Sequence, residues 1–307
     1  MKTAFLFPGQ GSQVVGMGKE FYNNFTVAKD VFEEVDDALN QKLSDIIFNG
    51  SIEELTLTEN AQPAIMVTSI AILRSLMHES GKAIDQLCQY VAGHSLGEYT
   101  ALCAAGSISL SDCAKLVKLR GKSMQNAVAP GVGTMAAVLG MDKEKLDLIL
   151  REVSKEGLVC QVANDNCPGQ IVISGHVSAV GSACELILNA GAKAKILPVS
   201  APFHSSLMNP VQDIMLSKLK ETTINTPKVP LICNVLAKQI TDPAQIINCL
   251  IEQISGMVRW TESMRHLKSL GVLSLTEIGV SRVLSGMNKR IDSEFVLSNI
   301  RTIDDIN

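Results

Sequence analysis

The chain has 307 residues, of which 46% are hydrophobic, and a formal net charge of −4 at pH 7. That composition supports a large core, in one big domain or two unequal ones. It shows no basic stripe for nucleic acid and no Lys/Arg cluster for a membrane surface, so neither partner is expected.

Thr3 to Phe7 is a short apolar run closed by Pro8-Gly9-Gln10-Gly11-Ser12-Gln13. It reads as a strand, then a glycine-rich loop, then a helix. The run is too short for a signal peptide, and no A-x-A site follows. No later apolar segment is long enough to span a bilayer, so a cytoplasmic protein is expected. A dinucleotide loop would need a third glycine at position 14, which is Val14, and no G-K-[ST] follows. The loop is therefore a tight turn whose backbone N–H groups could hold an anion.

Residues 20 to 80 read as helical. Asp30 to Leu43 carries apolar positions near a 3.6-residue period, and Gln62-Pro63 opens a second helix that ends at Gly81. Leu87 to Ala92 is the next strand. It runs into Gly93-His94-Ser95-Leu96-Gly97, a G-x-S-x-G pentapeptide, and then a helix from Leu96 to Ala105. A strand entering a helix this abruptly needs glycines that escape Cβ clashes. Such a turn lifts Ser95 out of the sheet at a helix N-terminus, where free N–H groups and the helix dipole favour an oxyanion. Taken alone, the pattern also fits an ordinary corner with an inert serine.

Ser109-Leu110-Ser111-Asp112 starts a helix that runs to about Val128 before Pro130-Gly131. Arg120 lies in it with Lys115, Lys118 and Lys122 nearby, and periodicity does not tell a functional arginine from a solvated one. Next come strand 134–139, helix 143–154, strand 158–163, a turn at Asn164 to Gly169, strand 170–174, helix 178–190 and strand 193–199. The order βαββαβ is that of a ferredoxin-like unit. The expected organisation is a large α/β subdomain with a parallel sheet (1–130 and 200–307) and an inserted ferredoxin-like subdomain (131–199).

Of the five histidines, His78, His176 and His266 are expected at the surface, and His94 has a local role inside the elbow. His204 sits in Ala201-Pro202-Phe203-His204-Ser205-Ser206, after a strand and before a helix that Ser205 or Ser206 could cap. Catalytic bases of α/β folds occupy such places, although a hydrogen-bonded structural histidine fits too. Leu231–Val235 reads as a strand, Asp242-Pro243 starts a helix through Ser255, and strands follow at 273–278 and 296–300. The eight cysteines form no C-x-x-C pair and have no metal-ligand spacing to histidine. Reduced, buried thiols are expected, with no disulfide and no metal.

Five motifs now stand in order: F-P-G-Q-G-S-Q at 7–13, G-H-S-L-G-E-Y at 93–99, L-R-G at 119–121, P-F-H-S at 202–205 and Q-I-S-G-M-V-R-W at 253–260. Together they resemble the malonyl-CoA:acyl-carrier-protein transacylases, and similar domains load polyketide synthases. The resemblance spans nearly the whole chain and includes an α/β-hydrolase-like fold with the inserted subdomain. It implies Ser95 as nucleophile and His204 as general base, oriented by a main-chain oxygen at Gln253 rather than by an Asp. It implies an oxyanion hole from the backbone N–H groups of Gln10 and Leu96, and Arg120 as the grip on the malonyl carboxylate. Phe203 is the residue type found more often with malonyl than with methylmalonyl. Asn164 and Asn166 fall near the acyl pocket with no catalytic role. The partners implied are malonyl-CoA and acyl carrier protein, with no cofactor, in a monomer. The rival readings are a serine hydrolase or thioesterase of α/β-hydrolase type, a discrete polyketide-synthase acyltransferase, and a non-catalytic scaffold.

Overall fold

The computed structural model describes residues 1–155, 157–199 and 201–306. Its strands, among the described residues, are β1 (Lys2–Phe7), β2 (Tyr90–Gly93), β3 (Gly133–Leu139), β4 (Cys160–Cys167), β5 (Gln170–His176), β6 (Lys193–Ile196), β7 (Leu231–Ile232), β8 (Gln239–Ile240), β9 (Val272–Ile278) and β10 (Val296–Ile300). They form two sheets. One has six strands in the order β10-β9-β1-β2-β7-β8, and the other has four in the order β4-β5-β3-β6.

In the six-stranded sheet β1 lies parallel to both β2 and β9, β9 to β10, and β2 to β7; only the β7–β8 pair is antiparallel. A parallel strand at the centre of a sheet is buried on both faces, which is why β1 reads as an unbroken apolar run. Its side chains still alternate. Phe5 and Phe7 enter a core shared with the helices Thr26–Leu39, Thr58–Ser80 and Leu110–Gln125. Ala4 and Leu6 enter the opposite core, built with Trp260–Ser269 and Val283–Ile291. Thr58–Ser80 is buried around its whole circumference from Asn60 to Leu73, as a helix must be when it is apolar on every side.

The four-stranded sheet is antiparallel throughout. On one face Ala136, Val138, Ile171 and Ile173 pack against Leu146, Leu150, Val180 and Ile187 of the helices Lys143–Val153 and Val177–Asn189. Met135, Ala163 and Val172 instead join the large core.

Several boundaries differ from the sequence reading, each for a local reason. The long helix starts at Thr58, not at Gln62-Pro63, so Pro63 lies inside it and the Glu59 carbonyl loses its usual N–H partner. The helix expected over Asp30–Leu43 is Thr26–Leu39; Asn40, with φ 47°, closes it in the left-handed region, and Leu43 opens another helix. The turn expected at Asn164–Gly169 is only Pro168-Gly169, because β4 continues to Cys167 through two register shifts. Its polar residues are claimed from a distance. The Asp165 N–H donates to the Val258 carbonyl at 2.9 Å, and the Thr261 hydroxyl donates to the Asp165 carboxylate at 2.8 Å. β6 stops at Ile196, β7 is two residues long, and β8 was not foreseen. The subdomain boundary expected at residue 200 lies outside the described residues.

Candidate active site

Ser95 stands between β2 and the helix Leu96–Ala104, with φ 54° and ψ −111°. Few L-residues adopt that conformation, and it costs on the order of 1–3 kcal/mol unless neighbours enforce it. Here the flanking glycines remove the obstruction. A Cβ on Gly93 would lie 1.8 Å from the Gly97 carbonyl oxygen, and one on Gly97 would lie 2.2 Å from that of Phe7. Asn234 then staples the turn from β7's far side. Its Oδ1 accepts from the Ser95 N–H at 2.8 Å, and its Nδ2 donates to the Gly93 carbonyl at 2.7 Å.

The Ser95 Oγ lies 2.8 Å from His204 Nε2. His204 is itself held at a positive φ of 57°. Its Nδ1 lies 2.8 Å from the Gln253 carbonyl oxygen and 3.1 Å from that of Gly256. A carbonyl only accepts, so Nδ1 carries the proton and Nε2 presents a lone pair to the serine hydroxyl. Burial, followed by the nearby Arg120 charge, pushes the imidazole down to about 3 from its ordinary 6.5. The ring is therefore neutral at physiological pH. Ser205, expected as a helix cap, instead donates to the Pro202 carbonyl at 2.7 Å, which fixes the segment that carries His204.

Arg120 is 1% exposed, which removes the solvated reading of its helix face. The following residue explains how it gets inside. A Cβ on Gly121 would come 2.5 Å from the Thr58 carbonyl, so the two helices touch backbone to backbone at that point. The Arg120 Nη1 donates to Gln62 Oε1 at 2.8 Å. Its Nη2 donates to Gln253 Oε1 at 2.9 Å and to Ser95 Oγ at 3.1 Å. Its Nε is buried with no hydrogen-bond partner among the described residues. The guanidinium sits 5.6 Å from the centre of the Tyr99 ring.

These groups face a cavity of about 620 Å³ whose lining includes Gln10, Gln62, Ser95, Arg120, Phe203 and His204. Asn164 lies on its wall as well. The N–H groups of Gln10 and Leu96 have no hydrogen-bond acceptor among the described residues. His94, half-buried, turns its Nε2 to Asn166 Oδ1 at 2.8 Å, and loss of solvation holds its imidazole below the ordinary value. His78 is exposed, whereas His176 and His266 are half-buried; His176 Nδ1 accepts from the Val159 N–H at 2.9 Å. The cysteine thiols are all free. Among the described residues no three His, Cys, Asp or Glu side chains gather as a metal-binding group, and no helix is long and apolar enough to cross a membrane.

The sequence reading named Ser95, His204, Arg120, Gln253, Gln10, Leu96 and Phe203; five of them line this cavity, while Gln253 lies behind it against Arg120 and His204 and Leu96 is buried next to Ser95. It did not single out Asn234, Gln62 or Glu98. Asn234 meets the elbow across 139 positions and Glu98 meets Gln253 across 155, which no local pattern records. Glu98 was in plain view within G-H-S-L-G-E-Y, and its charge inside an otherwise apolar helix was the available signal.

Residues 4–281 match the family described as acyl transferase domain. The malonyl CoA-acyl carrier protein transacylase of Bacillus subtilis is 50% identical over 292 residues, 95% of this chain and 90% of the relative. The Escherichia coli K12 enzyme of the same name is 41% identical, over 94% and 92%. Among solved structures, the acyl-carrier-protein-S-malonyltransferase from Bartonella henselae superposes with a TM-score of 0.97 at 48% identity, covering 100% of this chain and 97% of the other. A malonyl-transacylase solved in complex with a type II PKS acyl-carrier protein gives 0.95 at 38% identity, over 100% and 98%.

Proposed function

The chain belongs to the acyl transferase domain family, and from that premise we propose that it moves the malonyl group of malonyl-CoA to the phosphopantetheine thiol of an acyl carrier protein. The observation that carries the proposal is the buried guanidinium of Arg120 at the Ser95–His204 pair. A thioester-handling serine needs no cation beside it, whereas a substrate with a free carboxylate does.

In the proposed cycle, neutral His204 takes the Ser95 proton at Nε2 as Oγ attacks the malonyl thioester. The charge left on the carbonyl oxygen is received by the Gln10 and Leu96 N–H groups. The tetrahedral intermediate expels the CoA thiolate, which takes the proton back from His204. The carrier thiol then attacks the Ser95 ester through the same groups in reverse order. The main-chain oxygen of Gln253 keeps the Nδ1 proton in place throughout, the task an Asp has in hydrolase triads. That substitution supports the transferase reading over the α/β-hydrolase one. Arg120 grips the malonyl carboxylate. Phe203, 8% exposed on the cavity wall, crowds the space an α-methyl branch would need.

The two sheets are read as two subdomains, 1–130 with 200–307 and 131–199. The element order βαββαβ and the strand order β4-β5-β3-β6 support a ferredoxin-like second unit, and the elbow at the carboxyl end of β2 supports a hydrolase-like first one.

The test is intact-protein mass spectrometry after brief exposure to malonyl-CoA, with the adduct mapped by peptide. A malonyl ester on Ser95, discharged by holo acyl carrier protein, is the expected result. An adduct that survives Ser95→Ala, or rapid CoA release with no acceptor present, would overturn the reading.

A further inference from the structure

Glu98 is the carboxyl group the proposed cycle does not use. It lies one helical turn past Ser95 and is 0% exposed. No Lys or Arg side chain forms a salt bridge with it among the described residues. Burial raises its proton affinity well above the usual carboxylate range, and the neighbouring Cys233 adds to that shift. A buried acid without a paired cation is costly, so its hydrogen bonds identify its use.

Those bonds lead directly to the site. The Gln253 Nε2 donates to Glu98 Oε2 and also to the Ser95 carbonyl at 2.9 Å. The backbone N–H of Asn234, the residue that staples the elbow, points at both Glu98 oxygens at 3.3 and 3.4 Å. The other end of the Gln253 amide, Oε1, accepts from Arg120 Nη2. The amide is thus clamped with its nitrogen toward an acid and its oxygen toward a guanidinium. If its nitrogen end were not held, the amide could turn over and present N–H to N–H at Arg120.

We propose that Glu98 is a positioning residue: acting through the side-chain amide of Gln253, it keeps the Arg120 guanidinium at the Ser95 hydroxyl, and so it sets the preference for acyl groups that carry a carboxylate. The proposal rests on the reading of Arg120 given above. What matters is an acceptor at the right reach. The negative charge itself is dispensable, since the Gln253 amide asks only for an acceptor oxygen, which a side-chain amide of the same length also supplies.

Two substitutions separate reach from charge. Glu98→Gln keeps the length and one acceptor oxygen. Glu98→Asp keeps the acid but withdraws it by one methylene, out of contact with Gln253. Each is compared with the parent protein for kcat/KM on malonyl-CoA and acetyl-CoA with carrier protein as acceptor, and for thermal midpoint. Glu98→Gln should hold the malonyl-to-acetyl ratio within about threefold. Glu98→Asp should lower that ratio about tenfold or more, the worth of one hydrogen bond to a charged group. Combining Glu98→Asp with Gln253→Leu should lower the ratio no further than Gln253→Leu alone.

The reverse pattern, with Asp retaining the ratio and Gln losing it, overturns the proposal. So does an Asp variant that loses malonyl and acetyl transfer equally. If Glu98→Asp does not fold, the ratio in Glu98→Gln still decides, since a loss there contradicts the acceptor role. Arg120→Ala in the same assay keeps the two readings apart. If it leaves the ratio unchanged, the carboxylate grip itself is wrong. If it collapses the ratio while Glu98→Asp does not, only the role of Glu98 is wrong.

Discussion

Replacing Arg120 with alanine should uncouple malonyl from acetyl transfer. The guanidinium spends Nη1 on Gln62 and Nη2 on Gln253 and Ser95, and its Nε is buried without a partner among the described residues. A malonyl carboxylate at the cavity floor would replace the Ser95 contact and engage two N–H groups. Hydrogen bonds to charged groups are worth about 1.5–3 kcal/mol each, so two are worth roughly 3–6 kcal/mol. At about 1.4 kcal/mol per tenfold, kcat/KM for malonyl-CoA should fall about 100- to 10,000-fold. An acetyl group makes neither bond, so its transfer should change by no more than about tenfold, most of that from the altered surroundings of Ser95 Oγ. The assay is acyl-enzyme formation under single-turnover conditions with each thioester, which keeps carrier-protein binding out of the measurement. Equal loss on both substrates would show that the guanidinium supports the fold of the site and does not read the substrate.

Three further outcomes follow from the same geometry. Because burial holds His204 at about 3, well below the ordinary 6.5, the rate of Ser95 acylation should show no titration midpoint near 6.5, and one found there by stopped-flow measurement would place His204 in a solvated state. The same depression has a stability sign: the unfolded chain binds that proton first, so stability present above 6.5 is lost as pH falls toward 3, and His204→Gln should flatten this acid limb in denaturant titrations. Asn234→Ala orphans the Ser95 N–H and the Gly93 carbonyl and should cost roughly 2–5 kcal/mol of stability by urea unfolding. A loss below about 1 kcal/mol would mean the elbow keeps its shape unaided.

The legible parts of the chain were those where a single short stretch carries its own constraint. The elbow could be read because Gly93 and Gly97 are each forced by a carbonyl oxygen that would strike a Cβ. The apolar run of β1 and the βαββαβ rhythm were legible for similar reasons, since periodicity is local. Arg120 was not readable from its own helix. What buries it is Gly121 meeting Thr58, a contact across 63 positions that no periodicity records. The stretch at Asn164 to Cys167 was misread because the side chains of Asp165 and Asn166 are taken up by Thr261 and His94, and the Asp165 N–H by the Val258 carbonyl. Tertiary partners there outweighed local propensity. Glu98 shows the same limit, because a carboxyl group in an apolar helix has meaning only once Gln253 is beside it.

The reacting hydroxyl, its base and the carbonyl that steers the base come from three stretches separated by 109 positions between the first two and 158 between the first and the third. Loop closure over such spans is slow and comes late in assembly. A refolding molecule therefore passes through no half-competent stage. Recovered acylation reports the final closure of the chain, and it should trail both the return of helical signal and the burial of Trp260.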